Sequence, residues 1–200
     1  MLIYLIRHGE KAAKKESVMD IELTPKGLRQ ADLTGERLTR EGIQRIYSSD
    51  MLRALQTARG INGYLHVPME VRPGLREIDR GDFDLFDWEQ ACAKHPEFEE
   101  TFERHEIDVP YPGGESGADV WNRARPVIEE ILGAGLERAA VVAHGGTIRC
   151  ILSGALGLPQ ARRFFFGNPP EHCGITILRY ECGRCHLQSF NDFTHLGDCR

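Results

Sequence analysis

Two short motifs in this 200-residue chain set reactive side chains beside glycine: Arg7-His8-Gly9-Glu10 and His144-Gly145-Gly146-Thr147. Each directly follows an apolar run, Leu2 to Ile6 and Ala139 to Ala143, of the length and composition of a buried strand. A third short run, Ile43 to Ser48, ends at Ser48-Ser49, shortly before Arg53. In an open α/β sheet, ligands bind beyond the carboxyl ends of the strands, beside helix N-termini. If these three strands are neighbours, His8, His144, Arg7 and Arg53 converge on one edge of the sheet. Two guanidiniums can grip a phosphoryl group through bidentate, charge-assisted hydrogen bonds. A neutral imidazole can attack phosphorus and divide one hard displacement into two easier ones. A second imidazole, if protonated, adds positive charge where the transition state gathers negative charge. Gly9 and Gly145 would let backbone N–H groups approach the phosphate oxygens. Such chemistry also needs a carboxylic acid to protonate the leaving alkoxide.

The elements that must position these groups alternate in type. Thr24-Pro25 reads as an N-cap followed by proline at the first helical position, with Leu28, Ala31, Gly35 and Leu38 at helical spacing and Gly42 closing the segment. Ser49 or Asp50 is expected to cap the next helix, whose apolar face carries Met51, Ala54, Leu55, Ala58 and Ile61. From Glu77 to Asp108 there are twelve acids against three bases, with Trp88, Phe98 and Phe102 as apolar anchors. This segment, about 82–112, reads as an acidic helical insertion over the active site. Pro110, Pro112, Gly113 and Gly114 form a loop, and Ser116 caps a helix carrying Val120, Ala124, Val127, Ile128 and Ile131. Pro126 should kink that helix. After the Ala139 strand come a helix through Leu156, a late strand around Ile175 to Tyr180, and a partner near Leu187 to Phe190. Strands alternating with helices imply one α/β domain over residues 1–200, with a mainly parallel sheet flanked by helices on both faces.

Composition narrows the partners. Hydrophobic residues make up 41% and charged residues 28%, and 25 Lys and Arg against 30 Asp and Glu leave a net charge of −5. That balance argues against nucleic acid as a partner, while leaving room for a locally positive pocket. The first apolar run stops after six residues without a basic leader, so a secretory signal is not expected, and no stretch approaches the roughly 20 apolar residues of a membrane span. The cytoplasm is the expected compartment, and a homodimer is compatible with this reading. The six cysteines are expected to be reduced there.

In six blocks, in order along nearly the whole chain, the sequence resembles the histidine phosphatases, the phosphoglycerate mutase-like superfamily. The blocks are Leu5-Ile6-Arg7-His8-Gly9-Glu10; Leu23 to Gly27; Ser48 through Arg53 to Ala58; Leu75-Arg76-Glu77-Ile78; Pro112 to Ser116; and Val142-Ala143-His144-Gly145-Gly146. Asn191 to Leu196 is similar to a common ending of the family. The resemblance implies a metal-independent reaction without a cofactor. It makes His8 the nucleophile, Arg7, Arg53 and His144 the phosphoryl-binding groups, and Glu77 the proton donor and later the base for water. The chain departs from the family in two places. Lys11 to Ser17 lacks the asparagine that many members place on the phosphate, leaving Lys11, Lys14 or Ser17 as substitutes. Gly81-Asp82-Phe83-Asp84-Leu85 replaces a Gly-x-aromatic-Glu-Gly run, which makes Asp79 a second candidate acid.

Within the superfamily the chain is similar to α-ribazole phosphatases and broad-specificity phosphatases, with phosphoserine phosphatases a further option. A phosphomonoester hydrolase acting on a small phosphorylated metabolite is therefore the expected function. The alternatives are mutase-type phosphoryl transfer, and a phosphate-binding protein with degraded catalysis. A mutase needs extra cations for a second anionic group, which Lys14, Lys15, Arg162 and Arg163 could supply only if they face the site. Cys182-Gly183-Arg184-Cys185-His186 matches a haem-attachment pattern and could contribute to a zinc site. A hairpin turn between two strands is the plainer reading. His66, His95 and His105 sit in polar, unpatterned contexts and read as surface residues.

Overall fold

Alternation along the first strand sets the layers of the molecule. In this computed structural model, which describes residues 1–13, 21–167 and 169–200, Ile3 and Leu5 face one side of the sheet and Tyr4 and Ile6 the other. All four are buried, so both faces of the sheet are covered, as the unbroken apolar run requires. The strands are β1 (Leu2–Arg7), β2 (Arg45–Ser48), β3 (Met69–Val71), β4 (Arg138–Ala143), β5 (Ile175–Glu181) and β6 (Arg184–Asp192). Their spatial order is β3-β2-β4-β1-β5-β6. The first four of that order are mutually parallel, and β5 and β6 add an antiparallel edge. The expected mainly parallel sheet is therefore present, and β2, β4 and β1 are adjacent.

Helices α1 (Pro25–Leu38) and α2 (Leu52–Leu65) cover one face, where Leu38, Ala58 and Ile61 pack on Ile6, Ile46 and Val142. Thr24 caps α1 by accepting the Gly27 N–H. Leu28 is exposed, because its neighbour Gly27 takes the buried position against the Glu10 backbone. The α2 cap differs from expectation. Met51 occupies the N-cap without a side-chain bond; Asp50 pairs instead with Arg76, and Ser49 turns into the site.

Helices α3 (Asp82–Leu85), α4 (Trp88–Lys94) and α5 (Pro96–Arg104) make up the acidic insertion. Its centre is an aromatic cluster of Phe83, Phe98, Phe102 and Tyr111 that packs on Ile78, Val120 and Cys150. Trp88 only flanks this cluster, 43% exposed against Phe83. Helices α6 (Gly117–Gly133) and α7 (Gly145–Ala155) cover the second face of the sheet. Ser116 and Asp119 cap α6 reciprocally. The helix continues through Pro126, which is exposed, so the carbonyl its ring deprives of a partner is on the solvent side.

Strands β5 and β6 are joined by Cys182 and Gly183, both at positive φ, as a two-residue hairpin turn demands. The hairpin reading of the Cys-x-x-Cys-His run thus describes its geometry. Among the described residues, no three His, Cys, Asp or Glu side chains are grouped to hold a metal ion, and the cysteines form no disulfide. No helix among them is long and apolar enough to cross a membrane. The short strand β3 was not anticipated: Met69-Glu70-Val71 is too brief and too exposed to leave a periodic signal.

Candidate active site

Strand pairing brings the predicted residues together. The parallel ladder between β1 and β4 extends one residue beyond Arg7, where the His8 N–H donates to the Ala143 carbonyl. His8 and His144 consequently lie side by side, with ring centroids 5.1 Å apart. On the other side of β4 the Ser49 N–H donates to the Val142 carbonyl, which aims the end of β2 at the same place. Arg53 follows in the first turn of α2.

His8 is buried, and its ring is oriented from below. Nδ1 lies 2.7 Å from the Gly9 carbonyl, which can only accept, so Nδ1 carries the hydrogen. The lone pair is then on Nε2, where Arg53 Nε donates at 3.3 Å. Burial, reinforced by His144, Arg53 and Arg7, holds the imidazole well below its ordinary pKa and therefore neutral. His144 is fully buried. Its Nε2 meets Ser49 Oγ at 2.9 Å, while its Nδ1 has no partner among the described residues. Burial first, then Arg53, also pushes His144 far below the usual imidazole range. The second histidine is thus neutral, and the positive charge comes from the arginines.

Arg7 Nη1 donates to the Pro170 carbonyl at 2.6 Å, and its Nε is buried without a partner among the described residues. Arg53 is almost wholly buried, with Nη2 against Met51 Sδ. Glu77 is placed by the start of α7. Its Oε1 accepts from the N–H groups of Ile78 and Thr147 at 2.9 and 3.1 Å, and its Oε2 from Gly146 at 3.3 Å. A carboxylate at a helix N-terminus is well matched to the helix dipole and its unpaired donors. Asp79 is exposed and accepts from the N–H of Gly81 within its own loop, so of the two candidate acids it is Glu77 that meets α7.

Two expectations need correction. The Gly9 N–H does not face an anion, because it donates to Thr57 Oγ1 at 3.0 Å. Gly9 is required for packing instead, since a Cβ there would stand 2.5 Å from the Gly27 carbonyl oxygen. His95 and His105 are half-buried within the insertion rather than on the surface, His95 on Asp82 and His105 stacked on Phe164; His66 is exposed. Gly145 keeps its expected place at the first position of α7. Lys11 lies close enough for Arg53, Arg7 and Asp84 to act on its charge. Lys14, Lys15 and Ser17 lie outside the described residues. Arg163 is buried against Asp108, and Arg162 stacks on the exposed Phe165.

One residue at the site escaped the sequence reading. His172 lies with its ring centroid 5.5 Å from that of His8. The segment is fixed there by the Cys173 N–H donating to the Arg7 carbonyl at 3.0 Å. Burial and the neighbouring Arg7 push His172 down to about 4. Its sequence context, Glu171-His172-Cys173, carries no motif, and the antiparallel approach of β5 to β1 is what brings it in.

The arrangement offers a neutral imidazole with a directed lone pair, the buried Arg53 guanidinium against it, and a carboxyl group held by the N–H groups two and three residues beyond the second histidine. It suits in-line transfer of a phosphoryl group. Comparisons with known proteins agree. The profile of the histidine phosphatase superfamily (branch 1) matches residues 3–193. A phosphoglycerate mutase-like protein of Arabidopsis thaliana is 34% identical over 205 residues, covering 97% of this chain and 86% of that protein. A phosphoserine phosphatase of Hydrogenobacter thermophilus is 27% identical over 201 residues, covering 98% and 94%. The structure of a mycobacterial glucosyl-3-phosphoglycerate phosphatase with inorganic phosphate superposes with a TM-score of 0.85 at 28% identity, covering 97% of this chain and 98% of that one. With its paired histidines at adjoining strand ends and a match that spans nearly its full length, the chain belongs to the histidine phosphatase superfamily.

Proposed function

We propose that the protein hydrolyses a small phosphomonoester through a phosphohistidine intermediate. The observation that carries this reading is the His8 tautomer: the Gly9 carbonyl takes the Nδ1 hydrogen and turns the Nε2 lone pair into the cluster of Arg53 and His144. His8 Nε2 attacks phosphorus as the bond to the leaving oxygen breaks. Arg7, Arg53 and His144 Nδ1 hold the phosphoryl oxygens, and Arg53 exchanges its contact with His8 for one with the incoming anion. Lys11 or His172 supplies the donor that the missing asparagine would give. His172 suits it better: its ring faces His8 and makes no hydrogen bond to any described residue.

Glu77, in its protonated form, gives its hydrogen to the leaving alkoxide. Oε2, with its single long hydrogen bond, is the oxygen placed to do so. Glu77 then removes a proton from water as that water attacks phosphorus, which releases phosphate and restores His8. The test is hydrolysis of p-nitrophenyl phosphate in EDTA. Wild type should turn over, and His8→Ala should lose at least about a thousandfold in kcat. Turnover that survives in His8→Ala, or that EDTA abolishes, would overturn the mechanism.

The mutase-like relative keeps phosphoryl transfer between positions of phosphoglycerate as a second reading. The charge on the described residues weighs against it, since Arg163 is already neutralised by Asp108 and the insertion repels a second dianion. Bisphosphate-primed isomerisation without phosphate release would favour the mutase.

A further inference from the structure

The chain around Glu77 has no regular structure of its own to hold it. After the short turn Pro73–Leu75, residues 76–80 lie in neither helix nor strand, so their polar backbone must find partners elsewhere. Arg123 is one such partner. Its Nη1 donates to the carbonyls of Gly74 and Arg76, both at 2.9 Å, and its Nη2 to that of Glu77 at 3.0 Å. The remaining hydrogens go to Glu115, from Nε to Oε1 at 2.7 Å and from Nη2 to Oε2 at 2.9 Å. All five guanidinium N–H groups are thus in use, three of them on the carbonyls around the acid.

That arrangement follows from α6. Arg123 stands in the second turn of the helix, and helical side chains lean toward the N-terminus, so the guanidinium reaches back to Glu115, two residues ahead of α6. The Pro73–Leu75 turn lies flush on the helix: a Cβ on Gly74 would stand 2.5 Å from the Arg123 carbonyl oxygen. Glu115 Oε2 also accepts the Asp79 N–H at 2.9 Å, which fixes the chain on the far side of the acid. Glu77 is therefore held from two helices, its main chain from α6 and its carboxylate from the start of α7. A partly exposed ion pair adds little to stability, whereas about 1 Å of displacement at a reacting group can cost on the order of a hundredfold in rate.

We propose that Arg123, braced by Glu115, is a positioning residue for the proton donor: it fixes the main chain of Glu77 so that Oε2 points at the leaving oxygen. The inference rests on the phosphatase reading above and adds the residue through which its acid is aimed. What Arg123 supplies is geometry, because a planar fork can serve carbonyls on one side and a carboxylate on the other. Lysine would keep the charge, which also acts on His144, but has no fork to span Gly74, Glu77 and Glu115 at once.

The experiment measures kcat for glycerol 2-phosphate and p-nitrophenyl phosphate in wild type, Arg123→Lys, Glu77→Gln and the double variant. The alkyl ester needs a proton on its leaving oxygen, and the nitrophenyl ester scarcely does. Arg123→Lys should lose at least about tenfold on glycerol 2-phosphate and less than about threefold on p-nitrophenyl phosphate, with both KM values little changed. In the Glu77→Gln background the same substitution should cost less than about twofold more on the alkyl ester, because the acid it aims is gone. Equal losses on the two esters, or full additivity of the two substitutions, would reduce Arg123 to a structural brace and overturn the inference. No loss on either ester would overturn it too. Should Arg123→Lys fail to fold, Glu115→Gln decides by the same comparison, since it breaks the fork from the other side. Such a flat pattern in an otherwise active enzyme sinks this inference alone, whereas a wild type that turns over neither ester sinks the phosphatase reading.

Discussion

At the scale of single residues the proposed mechanism separates two tasks, attack and proton delivery, by the partners each group is given. His8 is kept neutral by burial and held in one tautomer by a backbone carbonyl, while Glu77 is fixed by three backbone N–H groups. Their separation can be checked with leaving groups of different basicity. Glu77→Gln should slow an alkyl phosphate about a hundredfold or more and an aryl phosphate far less, because phenolate leaves without a proton. Equal losses on both would move the acid role elsewhere, with Asp79 the next candidate. His172 makes a different prediction. His172→Ala should weaken inhibition by inorganic phosphate roughly tenfold, the value of one hydrogen bond to a charged group. An unchanged inhibition constant would return the missing donor to Lys11.

Elements set these residues within reach. β1 and β4 run parallel and end level, so their terminal histidines become neighbours although they are far apart in the sequence. The loop after His8 passes so near α1 that Gly27 faces the Glu10 backbone, where an added Cβ would fall 2.0 Å from the carbonyl oxygen. Gly27→Ala should therefore cost about 1–3 kcal/mol in urea unfolding and lower kcat by shifting the His8 loop. A fully active, equally stable variant would show that this loop has slack. The insertion contributes differently. Its aromatic cluster packs on Ile78, next to Glu77, and its acids mostly face solvent.

For the whole molecule, the buried imidazoles couple stability to pH. His8, His144 and His172 all have pKa values depressed by burial, so the unfolded chain takes up protons before the folded one does. Their stabilising contribution is complete above the free-imidazole value of about 6.5 and is lost as pH falls from there toward the folded values. The melting temperature should drop between pH 7.5 and 5.5, a window above the one in which the lowered carboxylates, such as Glu41 and Asp50, titrate. His172→Asn should flatten that slope. A melting temperature independent of pH over this range would contradict the burial of these rings.

The sequence alone determined the strand-ending histidine motifs, the capped helices, the alternation that makes an α/β sheet, and the candidates Arg7, His8, Arg53, Glu77 and His144. All of these depend on local spacing or on whole motifs, and such signals persist in a linear chain. Only the tertiary structure decided which N–H groups remain for a ligand. Gly9 loses its own to Thr57, about fifty residues away, while Gly146 and Thr147 give theirs to Glu77. It also decided that Ser49 orients His144 instead of capping α2, and that His172 lies beside His8. These assignments rest on strand order, on the antiparallel return of β5, and on what burial leaves unpaired, none of which has a period or spacing that a sequence can display.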